Sequence, residues 1–181
     1  MVATHRQHTS EDLYTLPDVH RYELVDGDLI ELPPPGESHG IIEGEVFAAL
    51  REYARSSGLG RALVETSFVL SRDPDTVLTP DVSFISKERV RPLEKAASFV
   101  EGSPELAVEV LSPTNSRAEI RFKVSRYLEA GSTMVWVVDP TSRSVSVYRP
   151  GSDILVYSSE AELTGEDVLP GFRCRVAQFF E

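Results

Sequence analysis

Along this chain the spacing of the apolar residues changes several times, and each change marks an element. Two apolar-rich runs within residues 22–32 flank Asp26-Gly27, the dipeptide that most favours the tight turn of a β-hairpin. Pro33, Pro34, Pro35 and Gly36 follow and withhold the amides that a ladder or a helix needs, so a loop is expected there. Across residues 40–55 the recurrence of Ile42, Val46, Ala49, Leu50 and Tyr53 is helical, and Ser57-Gly58 supplies the stop. Residues 61–70, 80–85 and 105–111 read as strands, the last of them apolar nearly throughout, which implies burial on both faces. Ser116 and Glu119 have the spacing of a capping box ahead of Ile120, Val124, Tyr127 and Leu128, predicting a helix to about Ala130 that ends at Gly131. Strand character returns at 133–138. The alternation of Val145, Val147, Leu155 and Tyr157 then predicts a further hairpin, and 176–180 a terminal packing segment. The order helix, three strands, helix, strand describes an α/β fold of the α+β kind, with a mixed sheet and a helix on each side.

Composition narrows this picture. With 181 residues, 41% apolar and 26% charged, the chain suits one domain with a single core over residues 1–181. Apolar runs such as 134–138 and 106–111 are too short to cross a bilayer, and the first eleven residues show no signal-peptide pattern, so a cytoplasmic protein without a membrane partner is expected. Cys174 is the only cysteine, which excludes an internal disulfide and a zinc site built on paired thiolates. Any metal must be held by oxygen or imidazole. The net charge of −11 argues against coating nucleic acid through a broad basic surface. Arg117, Arg121, Lys123 and Arg126 nevertheless lie close together with Glu119 as the only acid among them, so a small basic patch is available for weak, salt-sensitive binding.

Candidate chemistry begins with Glu109, which interrupts Leu106-Ala107-Val108-Glu109-Val110-Leu111 and shares a strand face with Ala107 and Leu111. A carboxylate buried there without a partner costs several kcal/mol, so it is paired with a cation, bound to a metal or placed at an open strand end. A structural ion pair satisfies the same pattern. Asp81 follows Pro80 at the head of the apolar strand that contains Val82 and Ile85, and taken alone it reads equally as a strand-entry residue. On neighbouring strands, Asp81 and Glu109 form an oxygen site suited to magnesium. Lys123 borders the apolar face of the second helix, roughly 40° from Tyr127 at ~100° per residue. It either snorkels to water or reaches inward to supply positive charge near a phosphate. His39 and Glu43, four residues apart, share a helix face and form a possible auxiliary pair; a first-turn acid beside a solvated histidine is the simpler reading. Trp136, Phe68, Phe84 and Tyr127 read as core.

Taken together these stretches resemble the PD-(D/E)xK nuclease superfamily, in particular its prokaryotic Uma-two branch. The matching segments are Tyr22-Glu23-Leu24-Val25-Asp26-Gly27, His39, Pro80-Asp81-Val82, the run from Glu105 through Glu109 to Pro113, Lys123 with Tyr127, and Gly131 through Trp136 to Pro140. The resemblance implies a restriction-endonuclease-like core with an N-terminal hairpin and a C-terminal β-hairpin added. It also implies that Asp81, Glu109 and the backbone carbonyl of Val110 hold Mg²⁺ or Mn²⁺ for hydrolysis of a phosphodiester, with DNA the expected substrate. The superfamily's lysine normally lies two residues after the strand glutamate, where this chain has Leu111. In the branch this sequence resembles, a lysine of the following helix takes that role, and Lys123 stands there. Arg117, Arg121 and Arg126 are then the expected nucleic-acid contacts, and a homodimer is the expected assembly for cutting two strands. The competing readings are a catalytically silent nucleic-acid binder and a protein-interaction module on the same fold.

Overall fold

The computed structural model describes residues 7–96, 98–113 and 115–181. Helix α1 (Ser10–Tyr14) precedes the hairpin of β1 (Tyr22–Val25) and β2 (Asp28–Glu31), and α2 (Glu37–Ser57) follows. Then come β3 (Gly60–Val64), β4 (Phe68–Ser71), β5 (Thr76–Leu78), β6 (Val82–Ser86), β7 (Val100–Glu101) and β8 (Leu106–Val110). Helix α3 (Arg117–Glu129) leads to β9 (Met134–Asp139), β10 (Ser144–Tyr148), β11 (Leu155–Ser158), β12 (Glu162–Gly165) and β13 (Leu169–Arg175).

The strands form a six-stranded sheet ordered β11-β10-β9-β8-β6-β3, a five-stranded sheet ordered β2-β1-β5-β4-β7, and the ribbon β12-β13. In the larger sheet β8 and β9 run parallel, joined through α3, and the other neighbouring pairs run antiparallel. Alternation along β8 decides which side each residue serves. Leu106, Val108 and Val110 enter the core shared with Ile42, Val46 and Leu50 of α2, while Ala107 packs with Ile120, Val124 and Tyr127 of α3. One helix therefore covers each face of the mixed sheet, as the pattern predicts. Leu78 of β5 joins the α3 side, and partly buried Val25 and Leu70 pack there too, so the five-stranded sheet closes over α3.

The expected hairpin forms with Asp26 at φ 49° and Gly27 at φ 87°, the two positive values that a primed turn requires. Three expectations need correction. Residues 61–70 are not one strand but two, β3 and β4, parted near Glu65, whose φ of 41° takes the backbone out of the ladder. The Glu65 N–H donates instead to the Asp81 carbonyl at 3.0 Å. Helix α2 starts at Glu37 rather than near Gly40, which puts His39 in its first turn. A second sheet is present that the pattern does not show, because β5, at three residues, and β7, at two, both paired with β4, are too short to carry a period. The 176–180 segment packs as expected, as a 3-10 turn burying Val176 and Phe179. Among the described residues no helix is long and apolar enough to cross a membrane.

Candidate active site

Strands β6 and β8 pair with Val82 opposite Val108, which brings Asp81, one residue ahead of β6, alongside the C-terminal end of β8. The Val110 N–H donates to Asp81 Oδ2 at 2.6 Å, fixing that carboxylate at the strand end. From the first turn of α2, His39 Nε2 approaches the same oxygen at 3.3 Å. The Asp81 hydrogen bond raises the His39 pKa, burial opposes it, and the Asp81, Glu43 and Glu109 charges add to the rise. One turn further along α2, Glu43 is 8% exposed, and its carboxyl is pushed up to about 7 by burial and then by the charges of Asp81 and Glu65. Glu43 Oε1 and His39 Nδ1 are buried and have no hydrogen-bond partner among the described residues.

Glu109 is 5% exposed and turned toward α3. The Tyr127 hydroxyl donates to its Oε1 at 2.7 Å, and Lys123 Nζ lies 3.2 Å from Oε2 and 3.4 Å from Oε1. Burial pushes the Glu109 carboxyl up to about 8, with the Lys123 ammonium opposing and the Asp81 and Glu23 charges assisting. Burial on its own would discharge Lys123. The Glu109 and Glu23 carboxylates outweigh it and hold the ammonium charged, well above the ordinary lysine range. The Glu23 contact is the shorter one, with Lys123 Nζ 2.8 Å from Glu23 Oε1.

These groups open onto a cleft of about 300 Å³ lined by Thr79, Asp81, Glu109, Val110 and Lys123, with His39 and Glu65 beside them and Arg21 and Pro33, Pro34 and Pro35 forming one wall. A larger hollow of about 540 Å³ along α2 is lined by Ala48, Arg51, Glu52, Arg55 and Ser56 and holds no comparable cluster. Volume therefore does not locate the chemistry. Among the described residues no group of three or more His, Cys, Asp or Glu side chains is close enough to hold a metal ion unaided. The donors lining the cleft include Asp81, just ahead of β6, Glu109 on the adjacent β8 and the backbone of Val110, with Glu65 and His39 beside them.

The Uma2 family, described as "Putative restriction endonuclease", matches residues 10–177. The chain belongs to the Uma2 family. Its fold is similar to the crystal structure of a "putative nuclease belonging to DUF820" from Anabaena variabilis ATCC 29413, with a TM-score of 0.82, 23% identity, and coverage of 95% of this chain and 97% of that one. At that identity the likeness shows the fold. No curated protein matches.

In this Uma2 protein Asp81, Glu109, Val110, Lys123, His39 and Glu43 are thus gathered around one cleft or its rear wall. The three arginines separate. Arg117 and Arg121 are exposed on α3 and make no ion pair among the described residues. Arg126 is drawn back to the hairpin, where it pairs with Asp26 and lies 5.0 Å over the Phe122 ring. Sequence reasoning missed Glu23 and the hydrogen bond of Tyr127, which is core by burial yet donates to the Glu109 carboxylate. The signal for Glu23 was present: it interrupts the apolar Tyr-Glu-Leu-Val strand as Glu109 interrupts its own.

Proposed function

We propose that this Uma2 protein is a divalent-metal-dependent endonuclease that hydrolyses phosphodiester bonds, with DNA as its expected substrate. The observation that carries this reading is the excess of negative charge around one cleft. Asp81, Glu109, Glu43 and Glu23 are gathered about a centre with one lysine, and burial first, with neighbouring carboxylate charges adding to it, raises the carboxyls of Glu43 and Glu109. Like-charged carboxyls held this way are costly unless a cation joins them, and Mg²⁺ or Mn²⁺ on oxygen donors fits that need. Asp81, Glu109 and the Val110 carbonyl are the residues that would hold it. When bound, the ion supplies a Lewis acid and lowers the pKa of its water.

The chain's own groups do the rest. Val110 N–H keeps the Asp81 carboxylate aimed into the cleft. Lys123, charged and lining that cleft, offsets the negative charge that develops on a phosphate during displacement, where a preorganised cation is worth more than in water. The buried Glu43 Oε1 and His39 Nδ1, which have no hydrogen-bond partner among the described residues, leave hydrogen-bonding capacity behind the cleft. Arg117 and Arg121 are free to meet phosphates outside the cleft, whereas Arg126 is committed to Asp26. A silent nucleic-acid binder on the same fold is the second reading, favoured by Leu111 at the usual lysine position. Incubation with plasmid, single-stranded DNA and RNA, each with Mg²⁺, Mn²⁺ or EDTA, tests the proposal. Cleavage is expected only with metal, and Asp81→Ala should lower it on the order of 100-fold or more. Cleavage that persists in EDTA, or binding with no cleavage under any condition, contradicts it.

A further inference from the structure

Glu23 lies on β1, in the five-stranded sheet, yet its side chain ends at the centre built by the six-stranded one. It is 3% exposed, and it is not among the residues that line the cleft. Its neighbour Leu24 points into the cluster of Leu13, Val69 and Val77, so strand alternation sends Glu23 to the opposite face, toward α3. There a single oxygen, Oε1, accepts two contacts. The Thr79 N–H donates to it at 2.9 Å, and Lys123 Nζ lies 2.8 Å away, closer than to either Glu109 oxygen. Thr79 stands two residues ahead of Asp81 in the chain. One buried oxygen therefore links the lysine to the segment that carries the strand-end aspartate.

A lysine ammonium on a four-carbon stem has no fixed position of its own. It carries three N–H donors; Glu23 takes one and Glu109 a second, which leaves one for an oxygen in the cleft that Lys123 lines. We propose that Glu23 is a positioning residue: it holds the Lys123 ammonium and the Asp81 segment in register and acts through Lys123 without touching substrate. The proposal rests on the nuclease reading for its consequence in turnover, while the contact itself does not. It also gives the N-terminal hairpin a task, since β1 supplies the rear support of a centre otherwise assembled from β6, β8 and α3.

The test compares wild type, Glu23→Gln, Glu23→Asp, Lys123→Met and the Glu23→Gln/Lys123→Met double variant, by plasmid cleavage with Mn²⁺ and by thermal melting. Loss of an outer support of this kind commonly lowers activity about 10–100-fold. Glu23→Gln should lower kcat by that factor with KM within about twofold, because substrate does not meet Glu23. Glu23→Asp keeps the charge on a shorter arm and should recover part of the loss. The double variant should be no slower, and melt no lower, than Lys123→Met alone, since both changes act on one contact. Wild-type kcat in Glu23→Gln, or losses that multiply in the double variant, would overturn the proposal. If wild type cleaves nothing, the nuclease reading fails on that result, and the melting data decide this one: non-additive shifts uphold the contact and additive shifts refute it. If Glu23→Gln does not fold, Glu23→Asp carries the comparison, with a fall in kcat at unchanged KM expected and an unchanged kcat overturning the proposal.

Discussion

Lys123 is held between two buried carboxylates, and this sets what its removal does. Substituting one partner of a buried ion pair leaves an uncompensated charge and typically costs about 3–5 kcal/mol. Lys123→Met should therefore lower cleavage sharply and also lower the melting temperature above about pH 8, where Glu109 is ionised in the wild type. The stability loss should shrink as pH falls through about 8, because Glu109, raised to about that value, is then protonated and needs no counter-charge. A variant as stable as wild type above about pH 8 would show that the ammonium is not the charge those carboxylates depend on. Glu43 gives an independent pH signature. Its carboxyl, raised from 4.5 to about 7, keeps its proton in the folded chain where the unfolded chain has released it. That contribution is fully present below the unfolded value of 4.5 and is lost as pH rises through about 7. Relative to wild type, Glu43→Gln should thus gain melting temperature between those values and level off above them. A melting difference that falls over the same window would contradict the assignment.

At the scale of elements, α3 matters most, because it carries Lys123 and Tyr127 and begins at a capping box in which Ser116 and Glu119 satisfy each other's backbone amides. Ser116→Ala should cost about 1 kcal/mol in a denaturant titration. Two glycines separate packing from propensity. A Cβ at Gly60 would meet the Ile85 carbonyl oxygen at 2.2 Å and the Phe84 ring at 2.4 Å, so Gly60→Ala should destabilise the pairing of β3 with β6. A Cβ at Gly44, exposed within α2, meets nothing within 4 Å, and Gly44→Ala should stabilise by about 0.5–1 kcal/mol. The elements legible in the sequence share a cause: α2, α3, β6, β8 and β9 are long or strongly apolar, and the hairpin and α3 have explicit turn and cap residues. Those that escaped are short or set by distant partners. The five residues of α1, the three of β5 and the ribbon of β12 and β13 carry no clear period. The break at Glu65 shows only as a backbone angle. Asp81, Glu109 and Lys123 stood out as charges in or beside apolar runs, and the structure brings them together. The place of Glu23 depends on a contact between residues 23 and 123, which no local pattern reveals.

For the molecule as a whole, the net charge of −11 opposes a phosphate backbone and Arg126 is committed to Asp26, so binding to nucleic acid should be weak and fall with salt. A duplex cut requires two strand breaks, and a closed two-fold pair is the expected assembly; a monomeric mass at all micromolar concentrations would confine each encounter to one strand. The central claim, that Asp81 and Glu109 share a site for a divalent cation, can be tested without knowing the substrate. Thermal melts of wild type and Asp81→Asn at about pH 8.5, with EDTA or with millimolar Mn²⁺, are the direct measurement; at that pH the carboxyls of Glu43 and Glu109, raised to about 7 and about 8, are mostly ionised. Without metal, removing one of several mutually repelling carboxylates should leave the variant as stable as wild type or more so, since an asparagine oxygen can still accept the Val110 N–H. A ligand that binds only the folded state stabilises it by RT ln(1 + [L]/Kd), about 2.7 kcal/mol at a hundredfold excess over Kd, so Mn²⁺ should raise the wild-type melting temperature and raise the variant's far less. An Asp81→Asn protein that melts lower in EDTA and responds to Mn²⁺ as wild type does would contradict the account.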